Sequence, residues 1–275
     1  MPHHFRLFAP VAIASAAFIA VPSFASTVAG ADILREWNLV VLGDLTSSSQ
    51  VEGRTFVGGN LSGNSSNYNV KQVPASPTEQ PGLTVVGDVN GAHKNLNNGS
   101  GAIIGGNVSS GFNLNGAPQT VKVGGSIQNT NQNQNTILSN LGTSDPQFVQ
   151  DLKQQASQIV TSTNNLSYEL STLSTNSQFA IQGNKGVFTA QPDADGLAVF
   201  NISSADLDRI GEIQFNLNGA DTAIVNVTGA SINLNDNFLG GTNNLGESVI
   251  WNFPDAEKLN LSTAWGGSVL APKAD

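Results

Sequence analysis

The chain of 275 residues contains no cysteine, a single methionine and three histidines. Without cysteine no disulfide staples the fold, and no thiol serves as nucleophile or metal ligand. A chain this long can bury a sufficient core by packing alone. Two of the histidines, His3 and His4, precede an apolar run at the N-terminus, which leaves His93 for the rest of the chain. One histidine cannot build a three-histidine metal site, and a histidine-based triad would have to use this residue. His93 stands beside Lys94 in a stretch rich in Asn and Gly that reads as a loop. Charge is scarce as well: 11% of residues are charged, and acids outnumber bases by 20 to 11. A net negative charge repels a phosphate backbone, so nucleic acid is not the expected partner. Nothing in this composition calls for a cofactor.

What the chain does have starts with Arg6, an apolar run from Leu7 to Val21 and then Ser23-Phe24-Ala25. A basic start, a short apolar stretch and small residues before a cleavage point make an export signal. The expectation is a signal peptide over residues 1–25, a mature chain from near Ser26 and no transmembrane segment after cleavage. Removing the signal takes away Arg6 alone and leaves ten basic against twenty acidic residues. A secreted protein with a neutral, polar, turn-rich surface follows from this.

One short phrase recurs, an apolar β-type stretch closed by Gly and then Asn, Asp or Ser. It reads Val40-Val41-Leu42-Gly43-Asp44, Phe56-Val57-Gly58-Gly59-Asn60, Val85-Val86-Gly87-Asp88, Ile103-Ile104-Gly105-Gly106-Asn107 and Val121-Lys122-Val123-Gly124-Gly125-Ser126. The last glycines fall at 43, 59, 87, 106 and 125, at intervals of 16, 28, 19 and 19. The long interval holds Pro74, Pro77 and Pro81, as a surface loop would. A period near 19 is too short for a propeller blade or a helix pair and suits one coil of a β-solenoid. In that reading Gly takes positive φ at the corner, while Asn or Asp bonds its own backbone or stacks on the next coil. A β-sandwich with regularly spaced turns is the alternative. The hexamer Phe112-Asn113-Leu114-Asn115-Gly116-Ala117 returns as Phe215 to Ala220.

The phrase stops at Ile127, where a Gln- and Asn-rich run from Gln128 to Asn135 reads as a loop. Asp145 and Pro146 then resemble a helix cap and first turn, and Phe148, Leu152, Ile159, Leu166, Leu170 and Leu173 form one helical stripe. A helical insertion over about 145–174 is expected along the flank, weakened or bent at Thr161 to Asn165. Strands are expected at Val187-Phe188, Leu197 to Ile202, Glu212 to Leu217, Ala223 to Val227, Val249 to Phe253 and Leu259 to Leu261. Gly266-Gly267-Ser268-Val269-Leu270 echoes the N-terminal phrase.

Carboxylate pairs are all that a glycoside hydrolase needs. Asp193 with Asp195 and Asp206 with Asp208 are the available pairs. The first lies in a turn sequence and the second in a short helix with Ser at its cap, so structural roles account for both. Asp193-x-Asp195-Gly196 and Asn233 to Asn237 gather oxygen ligands, yet neither completes a twelve-residue calcium loop, and Asx-stabilised turns explain them. Glu52 and Arg54 flank Gly53 and suggest a structural ion pair. Asn107-Val108-Ser109 and Asn226-Val227-Thr228 fit the glycan-acceptor triplet, which chance also produces in so Asn-rich a chain. No regular Thr, Ser or Ala ladder of the kind a flat ice-binding face needs stands out. On the residues alone, catalytic and metal sites are none, and the binding residues stay unknown.

The stretch Asn38 to Gly63, the helix opening Asp145-Pro146-Gln147-Phe148 and the C-terminal Val249 to Asp275 together resemble the choice-of-anchor A family of bacterial surface proteins. The most specific pieces are Glu52-Gly53-Arg54 leading into Val57-Gly58-Gly59-Asn60, and Trp251-Asn252-Phe253-Pro254 followed by Leu270-Ala271-Pro272. The resemblance implies an adhesive domain, mainly β, a β-solenoid or β-helix like that of ice-binding proteins, with one long flanking α-helix. It also implies a role at the cell surface and a glycan or matrix-protein ligand. Members carry varied C-terminal anchors, whereas no sorting motif or terminal hydrophobic helix is read before Asp275. A single domain over 26–275, noncatalytic and adhesive, is the expectation; a polysaccharide-active β-helix enzyme and an ice-binding module are the alternatives.

Overall fold

The computed structural model describes residues 30–243 and 245–275. The expected signal peptide lies outside the described residues. Strands predominate and helices are few. α1 (Gly30–Glu36) leads into β1 (Leu39–Val41) and β2 (Leu45–Thr46), then β3 (Thr55–Val57), β4 (Leu61–Ser62) and β5 (Ser66–Tyr68). β6 (Leu83–Val85), β7 (Lys94–Leu96), β8 (Ala102–Ile104), β9 (Phe112–Leu114), β10 (Thr120–Val123) and β11 (Thr136–Leu138) complete the first half.

These short strands stack in parallel. β1, β3, β6, β8, β10 and β11 form one six-stranded sheet, and β5, β7 and β9 form another. β2 pairs with β4, and single bridges continue that column through Val89, Val108 and Ile127. The registers Leu39↔Thr55, Thr55↔Leu83, Leu83↔Ala102 and Ala102↔Val121 advance by 16, 28, 19 and 19 residues, the same intervals as the glycine phrase. Stacking continues beyond the Gln- and Asn-rich loop, because β11 pairs with β10. The sequence shows no glycine phrase at β11, so this last rung was not legible there.

Val57, Val85, Ile104 and Val123 stack as one interior column, and Leu61, Val89 and Val108 as another, all nearly or fully buried. The six-stranded sheet is covered on its outer face too, where Phe56 packs with Trp37, Ile33 and Ile159. Burial on both faces explains why these strands read as continuous apolar runs instead of alternating.

α2 (Leu141–Ser144) and the 26-residue α3 (Pro146–Ser171) follow. Pro146 opens α3, but Asp145 makes no side-chain cap bond. The helix does not break at Thr161 to Asn165. Thr161, Thr163 and Asn164 turn their side chains back onto the carbonyls of Ser157, Ile159 and Val160, so they satisfy themselves within the helix. Gly30 of α1 fits tightly there, since a Cβ on it would lie 2.6 Å from Leu166 Cβ.

The second half comprises β12 (Gln178–Gln182), β13 (Lys185–Thr189), β14 (Leu197–Ser203), α4 (Ser204–Leu207), β15 (Glu212–Asn216), β16 (Thr222–Thr228), β17 (Ser231–Leu234), β18 (Asn237–Phe238), β19 (Val249–Asn252), β20 (Lys258–Leu261) and β21 (Ser268–Leu270). Its sheets run β12-β13-β15-β18, β14-β16-β19-β21 and β17-β20. All pairings are parallel except the β12–β13 hairpin. The rungs are longer here: Asn201↔Asn226 and Asn226↔Asn252 advance by 25 and 26 residues. Aromatic rings fill the interior, with Phe188 stacked on its register partner Phe215 at 4.7 Å. No described helix is long and apolar enough to cross a membrane.

Candidate functional site

The glycine phrase forms a corner, and its polar residue ties each rung to the next. Asp44 Oδ1 accepts from the Asn60 backbone N–H at 2.6 Å, Asn60 Oδ1 from Asp88 at 2.9 Å, Asp88 Oδ1 from Asn107 at 2.6 Å and Asn107 Oδ1 from Ser126 at 3.0 Å. The glycines serve a different purpose from the one expected. None of Gly58, Gly59, Gly105, Gly106, Gly124 and Gly125 has positive φ; each approaches the preceding rung so closely that a Cβ would collide with it.

Two polar arrays, their members half-buried to exposed, run along the stack. On the three-stranded sheet Asn67, Asn95 and Asn113 are in register. Asn113 Nδ2 donates to Asn95 Oδ1 at 2.7 Å, and two residues on, Asn115 Nδ2 donates to Asn97 Oδ1 at 3.2 Å. Rungs lie about 4.8 Å apart, so the amides repeat at that spacing. Asn113 and Asn115 each spend one Nδ2 hydrogen on the amide oxygen of the preceding rung, whereas the Asn97 amide nitrogen turns back to the carbonyls of Tyr68 and Asn95. The second array follows the bridged column. Thr46 and Ser62 are in register with their hydroxyls 3.0 Å apart, and Ser109 Oγ donates to Asn90 Oδ1 at 2.8 Å. A ladder of hydroxyls and amides therefore exists, and its mixed chemistry hid it from a search for Thr, Ser or Ala alone.

Beneath the asparagine face the strands bury Tyr68, Leu96 and Lys94. Lys94 belongs to β7 and not to a loop; its Nζ donates to the carbonyls of Gly63 and Asn64 at 3.0 and 2.7 Å. Burial lowers its pKa from the usual lysine value. His93 beside it is exposed, its Nε2 3.0 Å from the Asn129 carbonyl oxygen.

One acid of each pair considered from sequence, Asp193 and Asp206, is occupied by local structure. Asp193 Oδ1 accepts from the backbone N–H groups of Asp195 and Leu197, closing a turn. Asp206 accepts from the Ser203 backbone at 2.9 Å and its hydroxyl at 2.7 Å; those bonds hold its carboxyl below the usual range. Glu52 and Arg54 do not pair with each other. Glu52 points outward to Lys71 at 2.8 Å, while Arg54 reaches Glu36 at 3.4 Å and bonds the Gln80 and Pro74 carbonyls, pinning the proline loop. Asn226 is buried and donates to Leu170 O, which removes it as a glycan acceptor.

In Asn233 to Asn237 the three asparagines are exposed, whereas Leu234 and Asp236 are buried. The run spans the end of β17 and the start of β18, with Asp236 at the corner, 1% exposed. Neither carboxylate oxygen has a hydrogen-bond partner. Burial above all, with the Asp208 charge adding to it, pushes Asp236 up to about 6. Among the described residues no three His, Asp or Glu side chains come together as a metal cluster.

A family model described as "Putative Ice-binding-like adhesive domain" matches residues 30–275. Comparison with curated proteins and with solved structures gave no match.

Proposed function

Because the chain belongs to the ice-binding-like adhesive domain family, we propose that it is a noncatalytic adhesive module of a bacterial surface or matrix, secreted and folded as a single β-solenoid. In this reading the domain runs from about residue 26 to 275, and α3 is its helical insertion. The observation that carries the proposal is the set of polar columns in register on the exposed faces. Amides and hydroxyls in register at a spacing of about 4.8 Å suit a polymer that offers many weak hydrogen bonds at once. Few charges and a neutral amide surface fit a ligand recognised by hydrogen bonding more than by charge. The roles of Asp193 and Asp206 in a turn and a helix cap favour binding over hydrolysis. Amides in place of a threonine ladder on the three-stranded face weigh against ice as the ligand.

The test is retention of purified residues 26–275 on immobilised matrix proteins and cell-surface polysaccharides, with and without calcium, scoring ligand cleavage as well. Saturable retention without cleavage is expected, reduced when Asn95 and Asn113 are both changed to Asp. Cleavage lost in Asp193→Asn or Asp206→Asn would overturn the noncatalytic reading, and thermal hysteresis in ice would redirect it.

A further inference from the structure

Trp251-Asn252-Phe253-Pro254 and Leu270-Ala271-Pro272 take no part in these polar columns, yet they converge. Asn252 is in register with Leu270, so Pro254 and Pro272 occupy the same corner of successive rungs. Asp255 and Lys273 follow them, with Lys273 Nζ 3.9 Å from the Asp255 carboxylate. The C-terminal part of α3 faces this corner. Between them lies a half-open groove of about 540 Å³ lined by Asn165, Tyr168, Pro254, Asp255, Pro272 and Lys273.

Its walls are chemically complementary to one class of ligand. Tyr168 is 69% exposed, more than any other large apolar side chain among the described residues, and it projects from a helix whose opposite face is packed. An aromatic ring left open on a rigid element offers an apolar platform with a polar tip. The two prolines give the facing rim fixed geometry and no backbone donor. Asp255 supplies a carboxylate acceptor and Lys273 an ammonium donor, side by side and mutually neutralised. Ser167, which also lines the groove, is tied to the sheet, its Oγ donating to the buried Asn252 Oδ1 at 2.6 Å.

We propose that this groove binds a neutral glycan, one sugar ring stacked on Tyr168 and its hydroxyls bonded by Asp255, Lys273 and Asn165. A pyranose has an apolar C–H face and a rim of hydroxyls that both donate and accept, the pairing these walls offer. Charge selects against acidic glycans, because the local pair is neutral and the whole chain carries a formal charge of −9. The proposal rests on the adhesive reading and names a ligand class for it, at a place separate from the asparagine face.

The test is calorimetric titration of residues 26–275 with soluble neutral oligomers of glucose, mannose and N-acetylglucosamine, and with oligogalacturonate. Tyr168→Ala and Asp255→Asn run in parallel; both side chains are exposed, and circular dichroism checks their folding. Saturable binding of a neutral oligosaccharide is expected, weakened about tenfold by Tyr168→Ala and also reduced by Asp255→Asn, with no binding of oligogalacturonate. Absence of any neutral oligosaccharide binding, or binding unchanged in Tyr168→Ala, overturns the proposal. So does preference for the acidic oligomer, or a matrix protein as the ligand lost in that variant. If the wild type is retained on a surface polymer and Tyr168→Ala is retained equally, the groove is eliminated while the adhesive reading stands. If nothing retains the wild type, the adhesive reading itself fails.

Discussion

A methyl group added at Gly124 would lie 2.0 Å from the carbonyl oxygen of Gly105, so the rungs would have to part to admit it. At Gly43, in the first copy of the same phrase, the added methyl meets nothing within 4 Å. Gly124→Ala is therefore expected to destabilise the fold by about 3 kcal/mol and Gly43→Ala by less than about 0.5 kcal/mol. Urea unfolding midpoints decide, and equal losses at both positions would show that chain flexibility, not stacking, explains the glycines. The positions of these glycines were legible in the sequence, whereas their cause was not, because the carbonyl beneath Gly124 belongs to a residue 19 positions away. Asp236 makes a second case at this scale. Its carboxyl, near 3.9 when unfolded, is raised to about 6 in the fold, so protonation stabilises the native state. That contribution is complete below about pH 4 and is lost as pH rises through about 6, a change of about 3 kcal/mol. Asp236→Asn, which cannot ionise, is expected to gain stability relative to wild type by that amount between pH 4 and pH 8. Paired denaturant titrations at the two pH values measure it, and a constant difference would refute the assignment. The oxygen-rich run Asn233 to Asn237 drew attention in the sequence, but only the fold reveals that its one acid is buried without a partner.

Among the elements, α3 is held by an arithmetic match between helix and sheet. Asn201, Asn226 and Asn252 occupy one column of the β14-β16-β19 sheet. They donate to the carbonyls of Leu173, two residues past the end of α3, and of Leu170 and Ser167 within it, each step of one rung matched by three residues of chain. Three residues rise about 4.5 Å, close to the strand spacing of about 4.8 Å, so each rung meets an equivalent carbonyl. The asparagines also bond one another, Asn252 to Asn226 at 2.8 Å and Asn226 to Asn201 at 2.9 Å. Asn252 is fully buried and shares three bonds, whereas Asn201 is exposed. Asn252→Ala is expected to cost about 3 kcal/mol, and Asn201→Ala less than about 1 kcal/mol. Hydrogen exchange should accelerate in the C-terminal half of α3 in the Asn252 variant and stay unchanged near Leu152. Uniform acceleration along the helix would mean that the ladder is not its anchor. The stripe from Phe148 to Leu173 announced the helix, but a polar clamp whose members lie 25 and 26 residues apart leaves no local pattern to read.

At the scale of the molecule, the order of contacts along α3 fixes how the halves are assembled. Val149 lies against Gly124 and Leu152 against Gly105, while Ala156 and Ile159 pack with Val86 and Phe56. Leu166 then clusters with Leu270, and Leu170 with Ile224. Chain numbers descend along the helix within each half, so β1 and β21 both face its middle, and the mid-chain rungs lie outward. The repeat in the first half was legible because glycine marks each corner; this arrangement was not, since it depends on where a helix 26 residues long lays its two ends. The two largest apolar clusters share no residues, and α3 packs against both halves. Thr161 sits at the junction, exposed and mid-helix. Proline there removes a helix hydrogen bond, clashes with the preceding turn and costs about 3 kcal/mol. Its larger consequence would be mechanical: each half would keep its own stacked core but lose the element that couples it to the other. Wild type is expected to unfold in one transition, with far-UV circular dichroism coinciding with tryptophan fluorescence, to which the second half contributes Trp251 and Trp265. In Thr161→Pro the two signals should separate, while Thr161→Ala keeps them together. Coincident, uniformly lowered transitions in the proline variant would mean that contacts between the halves other than α3 carry the cooperativity.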